Sequence, residues 1–257
     1  MNLKDVARKY IAAVNQYDAA TIINMVEDDY IQHNPSVPTG RSAFIEFLSK
    51  LKAHGSRIEN LRLFEDGPYI FMHHIWHNAA PFGCESALAF HIIRIKRDGR
   101  VAEHWNVMTP VIAMDPLADN NAKGTRISGN PDLTTSTRNQ TVGLGKLLTG
   151  GNVSGSDLSE FFHVEFVDYS SRSEDSFGKL DRDLRGSRPK FRYLRQHKVL
   201  AEGEFALSIS EGLMETDNVI RYDLYRYESG KIKERWSVSQ SIPTSRLAND
   251  NTMFGFH

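Results

Sequence analysis

The sequence predicts an α+β fold written twice in tandem. Three observations predict it. Glu103-His104-Trp105-Asn106-Val107 returns as Glu234-Arg235-Trp236-Ser237-Val238, with the tryptophans 131 residues apart. Each copy follows a glycine-plus-basic turn, Asp98-Gly99-Arg100-Val101 in one half and Ser229-Gly230-Lys231-Ile232 in the other. An arginine-bearing strand pattern precedes each turn, Phe90 to Ile95 and Tyr222 to Tyr227. A supersecondary unit repeated at this period marks two copies of one domain, and 257 residues suit two domains of ordinary size. The polar stretch 115–133, with Pro116, Gly124, Gly129 and Pro131, reads as a linker and sets the domains at 1–122 and 123–257.

The elements follow in the same order in each half. Leu3, Val6, Ala7, Tyr10, Ile11 and Val14 fall at helical spacing, so 3–15 predicts a helix. Ala19 to Val26 predicts a short second helix, and Pro35 and Pro38 then mark a loop. Phe44, Ile45, Phe47, Leu48 and Leu51 place a third helix over Ser42–Leu51. Four strands follow at Arg57–Phe64, Tyr69–His77, Glu85–Lys96 and Val101–Val111, with Asp66-Gly67 and Asp98-Gly99 as turns. In the second half, Thr137–Leu148, Leu158–Phe162 and Phe177–Leu184 read as helices. Lys190–Val199, Glu204–Ser210, Val219–Tyr227 and Ile232–Ser241 read as strands. Helices followed by an antiparallel sheet give an α+β layout. Apolar residues on both faces of the strands predict that both faces are covered, with the sheets of the two halves packed together as an internal pseudo-dimer.

Composition narrows the function classes. With 40% hydrophobic and 25% charged residues, the chain is of the globular class. Its 31 basic and 32 acidic residues leave no electrostatic attractor for nucleic acid or anionic lipid. The single cysteine, Cys84, excludes an internal disulfide and a cysteine-based zinc site. No apolar run approaches bilayer length, and the opening residues form an amphipathic helix rather than a signal peptide, so a cytoplasmic location is expected. Gly143-Leu144-Gly145-Lys146 lacks the spacing and the Lys-Ser/Thr pair of a phosphate loop and lies in a helical pattern.

Tyr30-Ile31-Gln32-His33-Asn34-Pro35, Gly40 and the Glu103-His104-Trp105 strand resemble the SnoaL-like polyketide cyclase family of the NTF2-like superfamily. The second half resembles it at His197 to Gly203, at Tyr222 to Arg226 and at Asn251-Thr252-Met253-Phe254, in the manner of the tandem branch of aldol-condensation-type enzymes. The resemblance implies two cone-shaped, curved antiparallel sheets wrapped by helices, each enclosing an apolar pocket. It also implies ring closure by aldol chemistry without metal or organic cofactor. The cyclases of this family place an Asp after the tryptophan; here Asn106 and Ser237 stand there. Neither is a general base near neutral pH.

Strand alternation puts His104 and Asn106 on one face and Glu103 and Trp105 on the other. In the implied fold the His104/Asn106 face borders the pocket, and His91 shares it from the preceding strand. His91 and His104 are therefore the acid–base candidates, titrating near neutrality, with Asn106 as polariser of an enolate oxygen. Hydrogen-bonded core histidines are the structural alternative. His33 reaches the pocket mouth as a substrate-binding candidate, or caps a backbone group to fix its loop. Tyr169, Asp223 and Arg235 hold the positions of His33, His91 and His104 in the second copy, as substrate-binding residues or as a structural ion pair. His73 and His77 share a strand face and His74 points the other way. They read as exposed or interface side chains, and no metal or other cofactor is expected. The expected partner is a small apolar or carbonyl-bearing ligand, with no nucleic acid or membrane, in a chain able to form homo-oligomers. The expected function is cofactor-independent acid–base chemistry, of cyclase, isomerase or lyase type. Non-catalytic small-molecule binding is the alternative.

Overall fold

The computed structural model describes residues 2–111, 116–126, 129–151, 153–171, 173–185, 190–245 and 247–256. The Asn2 side chain opens the first helix, α1 (Leu3–Asn15), by accepting from the backbone N–H groups of Lys4 and Asp5 at 3.0 and 3.4 Å. Asp18 caps α2 (Ala19–Met25) in the same way, through Thr21 N at 3.0 Å. The third helix, α3 (Arg41–His54), stops at Gly55, whose φ of 63° is the left-handed conformation that glycine takes freely. Strands β2 (Arg57–Asp66), β3 (Tyr69–His77), β4 (Ser86–Ile95) and β5 (Val101–Val111) then form an antiparallel meander.

A fifth strand, β1 (Val26–Gln32), runs parallel to β5 and gives the order β1-β5-β4-β3-β2. The sequence pattern missed it, assigning Val26 to the second helix. Only Val26, Tyr30 and Gln32 of this edge strand are buried, and a register shift separates Val26 from Ile31. Glu27, Asp28 and Asp29 hide what alternation remains.

The second half repeats the plan. After α4 (Pro116–Ala122), α5 (Thr134–Thr149) and α6 (Gly155–Phe161) comes β6 (Phe162–Asp168), parallel to the last strand. Helix α7 (Ser176–Arg185) and strands β7 (Arg192–Glu202), β8 (Phe205–Met214), β9 (Asp217–Glu228) and β10 (Lys231–Ser241) complete the order β6-β10-β9-β8-β7. Helices cover one face of each sheet. Eight of nine β3 residues are buried, and full burial of one large apolar side chain contributes about 1.5–3 kcal/mol.

The chain divides into two units, residues 1–115 with 243–257, and residues 116–242. The units are thus not the consecutive spans 1–122 and 123–257, because two segments expected elsewhere cover the repeated tryptophans. In the first unit Phe256 stacks on Trp105, ring centres 4.6 Å apart. In the second, Trp236 Nε1 donates to the Lys123 carbonyl at 3.3 Å. Gly124 (φ +84°) lies so close to Trp236 that a Cβ there would sit 2.5 Å from the indole. The expected linker is therefore partly helical and packed.

Candidate functional site

The alternation of β5 builds the site. Glu103 and Trp105 face one side of the sheet; His104 and Asn106 face the helices. They line a cavity of about 50 Å³ in the first unit. Its walls include Tyr30 and Gln32 of β1, Phe44 and Phe47 of α3, His74 and Trp76 of β3, and His91 of β4. A water needs roughly 10–15 Å³ of such space, so the cavity suits a compact molecule.

His91 sits directly opposite Asn106 in the β4–β5 register. Its Nδ1 lies 2.8 Å from His104 Nε2. Behind His104, Tyr30 Oη and Gln32 Nε2 lie 2.9 and 3.1 Å from Nδ1. The Gln32 amide is oriented by its Oε1, which accepts the Asn34 backbone N–H at 2.9 Å. Its nitrogen must therefore face His104, making Nδ1 of His104 an acceptor. The His104 proton is then on Nε2 and is donated to His91 Nδ1. That leaves the His91 proton on Nε2, at the cavity wall. His91 Nε2 lies 3.5 Å from Trp76 Nε1. The indole N–H points at this nitrogen, so in the tautomer set by Gln32 the two N–H groups converge without satisfying one another. His74 Nδ1 is buried without a hydrogen-bond partner, and the Asn106 amide has none among the described residues.

Burial sets the protonation of these rings. It pushes His74 and His104 down to about 3, with a smaller push from a neighbouring histidine in each case. It holds His91 well below its usual 6.5, with His104 and His74 adding to the effect. The expected titration near neutrality is corrected here: the three imidazoles are neutral at physiological pH, because the cavity wall is deeper and more apolar than composition shows.

His33 is not in this cavity. It lies on the opposite sheet face, stacked on Trp105 with ring centres 4.3 Å apart. Its Nε2 meets Glu103 Oε2 at 2.8 Å and its Nδ1 meets the Thr252 carbonyl at 2.9 Å. Both ring nitrogens are thus held by groups outside the cavity. The substrate-binding role gives way to the structural one. His73 and His77 also separate: His73 is buried beside Arg62, Nδ1 3.1 Å from Nη1, while His77 pairs with Glu59 at 2.9 Å. The expectation of exposure is thus wrong for His73. The sequence missed His74 and Trp76 because β3 is apolar on both faces.

In the second unit the space between α5 and the sheet is closed. Tyr193, Tyr225, Gln196 and Ser208 fill it, leaving no room for a water. Gly145 permits this, since a Cβ there would lie 2.3 Å from the Gln196 amide. Asp223 stands opposite Ser237, as His91 stands opposite Asn106. Its Oδ1 accepts from Arg221 Nε at 3.0 Å, from Arg235 Nη2 at 2.9 Å and from Ser237 Oγ; its Oδ2 accepts from Tyr193 Oη at 2.7 Å. Burial alone would raise Asp223, but Arg221 and Arg235 overcome it and hold the carboxyl below the usual range. The Tyr169 side chain lies on the other face, stacked on Trp236 at 5.2 Å, and only its backbone N–H reaches the Arg235 carbonyl, at 2.9 Å. Asp223 and Arg235 meet as the expected ion pair, and Tyr169 stands outside it.

Sheet order, helical cover and the repeated parallel edge strand define two α+β units built on one plan. Residues 7–104 match the family model of the SnoaL-like domain, and the second unit repeats the sheet order of the first. No curated protein is similar enough to match the chain. Among solved structures, the chain is similar to IdmH, a candidate polyketide cyclase from Streptomyces antibioticus, at 18% identity over 42% of this chain and 92% of that one, TM-score 0.36. A candidate SnoaL-like polyketide cyclase from Shewanella denitrificans is 18% identical over 42% of this chain and 90% of its own, TM-score 0.36. An uncharacterized cystatin-fold protein from Novosphingobium aromaticivorans gives 18% identity over 42% and 98%, TM-score 0.37.

Proposed function

We propose that the first unit binds a compact, largely apolar molecule through a carbonyl oxygen and promotes proton transfer at the neighbouring carbon. The observation that carries this reading is the convergence of His91 Nε2–H and Trp76 Nε1–H, 3.5 Å apart, at the wall of an otherwise apolar cavity. One oxygen placed between them accepts both, as an oxyanion-type site requires, and the Asn106 amide can add a third donor. His104, Gln32 and Tyr30 hold the tautomer of His91. The carbon proton passes to His74 Nδ1, the ring nitrogen left unpaired. A ring held at about 3 is a weak base; it takes the proton only as enolate charge develops beside it, since a nearby opposite charge favours the imidazolium.

The absence of a carboxylate from the cavity wall among the described residues favours a second reading, binding without turnover. Proton exchange separates the two. Cyclopentanone and acetone in D₂O at neutral pH, followed by NMR, should show α-proton exchange faster than in buffer, and slower by about 100-fold or more in His74→Ala. Saturable binding with buffer-rate exchange selects the binder. Failure of either ketone to bind at saturating concentration removes both.

A further inference from the structure

The polar centre of the second unit lies at one wall of a separate cavity of about 340 Å³. Arg221, Arg235, Lys190, Phe191, Leu184 and Met214 are among its lining residues. Arg235 is 3% exposed and fully committed: Nε and Nη2 to Asp223, Nη1 to Asp168 at 3.2 Å. Arg221 is different. Only its Nε is used, on Asp223, and its guanidinium lies 4.9 Å from the centre of the Phe191 ring. Its two terminal amino groups make no hydrogen bond among the described residues. Asp223 Oδ1 already accepts from both arginines and Ser237, and Oδ2 from Tyr193.

We propose that this cavity is a ligand site of the second unit, taking a small organic carboxylate whose charged end meets the Arg221 fork and whose body lies on Phe191, Leu184 and Met214. A guanidinium presents parallel N–H donors that match a carboxylate two to two. The charge of the ligand follows from the lining. Lys179 and Asp183 pair with each other, and Asp168 pairs with Arg235. That leaves Arg221 and Lys190 against Glu215 in the lining, a balance that suits one negative charge. The apolar wall adds contact area that an inorganic ion cannot use.

The test uses the full chain at neutral pH, with benzoate, benzamide and inorganic phosphate titrated separately and ¹⁵N amide shifts recorded. Benzoate should bind saturably and shift residues around Arg221 and Phe191. Binding should weaken by at least about tenfold in Arg221→Gln, the effect of losing a charge-assisted pair. If Arg221→Gln does not fold, Leu184→Trp, which fills the cavity while leaving the arginines in place, should abolish benzoate binding. Benzamide binding as tight as benzoate, phosphate binding in place of benzoate, shifts confined to the first unit, or unchanged benzoate binding in a folded variant would each overturn the proposal. So would no binding of benzoate at all.

Discussion

The two units keep the same sheet and the same tryptophan but opposite interiors. On the outer face the likeness is close. Glu103 meets Arg94 of the preceding strand and His33 of the loop; Glu234 meets Arg226 and, at 3.3 Å, Tyr169. Trp105 lies between His33 and Phe256, and Trp236 is stacked with Tyr169. On the inner face nothing is shared. Neutral imidazoles border an apolar cavity in one unit, while a carboxylate clamped by two arginines forms the polar centre of the other. The repeated Glu-x-Trp is therefore the part that builds the domain. The residue after each tryptophan, Asn106 or Ser237, belongs to the face that is free to differ.

Removing Asp223 should break the comparison most visibly. Asp223→Ala strands the buried Arg235 and deprives the partly buried Arg221 of its partner, and should lower stability by about 3–5 kcal/mol. His91→Ala, at the matching position, removes only a neutral ring beside an existing cavity and should cost far less. Urea unfolding of both variants checks this, and equal losses would show that the two interiors are energetically alike. Next in size, Glu103→Gln and Glu234→Gln should each cost about 2 kcal/mol, from a buried hydrogen-bond partner lost on the shared face. A loss in only one of them would mean that the repeated motif has diverged in role.

Acid should then separate the units. His74 and His104 titrate near 6.5 when unfolded and near 3 when folded. Between those values the unfolded chain binds protons that the folded one refuses. Stability present above pH 6.5 is therefore lost as pH falls toward 3, by up to about 1.4 kcal/mol per pH unit for each ring. Asp223, depressed from 3.8, gives up its contribution only below that value. Hydrogen exchange at pH 7, 6 and 5 should show the first unit loosening before the second. The reverse order would mean that the imidazoles are not buried as described. The smallest effect is Phe256→Ala, which removes one face of the Trp105 stack and should cost about 1 kcal/mol in the first unit alone.

Much of this was legible in the sequence, for identifiable reasons. The repeat of Glu103–Val107 at Glu234–Val238 gave the tandem, and strand alternation put His91, His104 and Asn106 on one cavity. His74 and Trp76 were not legible. A strand buried on both faces has no polar alternation to say which face borders a cavity. The protonation of the histidines was misjudged for a related reason, since residue type gives an ordinary pKa and only depth of burial moves it. His33 kept two readings, pocket mouth or loop fixing, because a loop residue has no alternation to follow; the structure has the second. His33 is fixed by Glu103 and Thr252, one of them 219 residues away. Gln32 was part of the quoted loop string, yet its part in setting the tautomer depends on two distances that no spacing encodes.

The crossed membership of the chain segments carries a consequence for synthesis. The Asn249 side chain donates to the carbonyls of Asn34 and Val37, and the Asn251 side chain to that of Gln32. The loop that carries His33, and the indole face of Trp105, are thus completed by residues translated long after β5. At 5–20 residues per second the delay is roughly 7–28 s. During that interval a nascent first unit displays an aromatic surface that nothing later in its own half can cover.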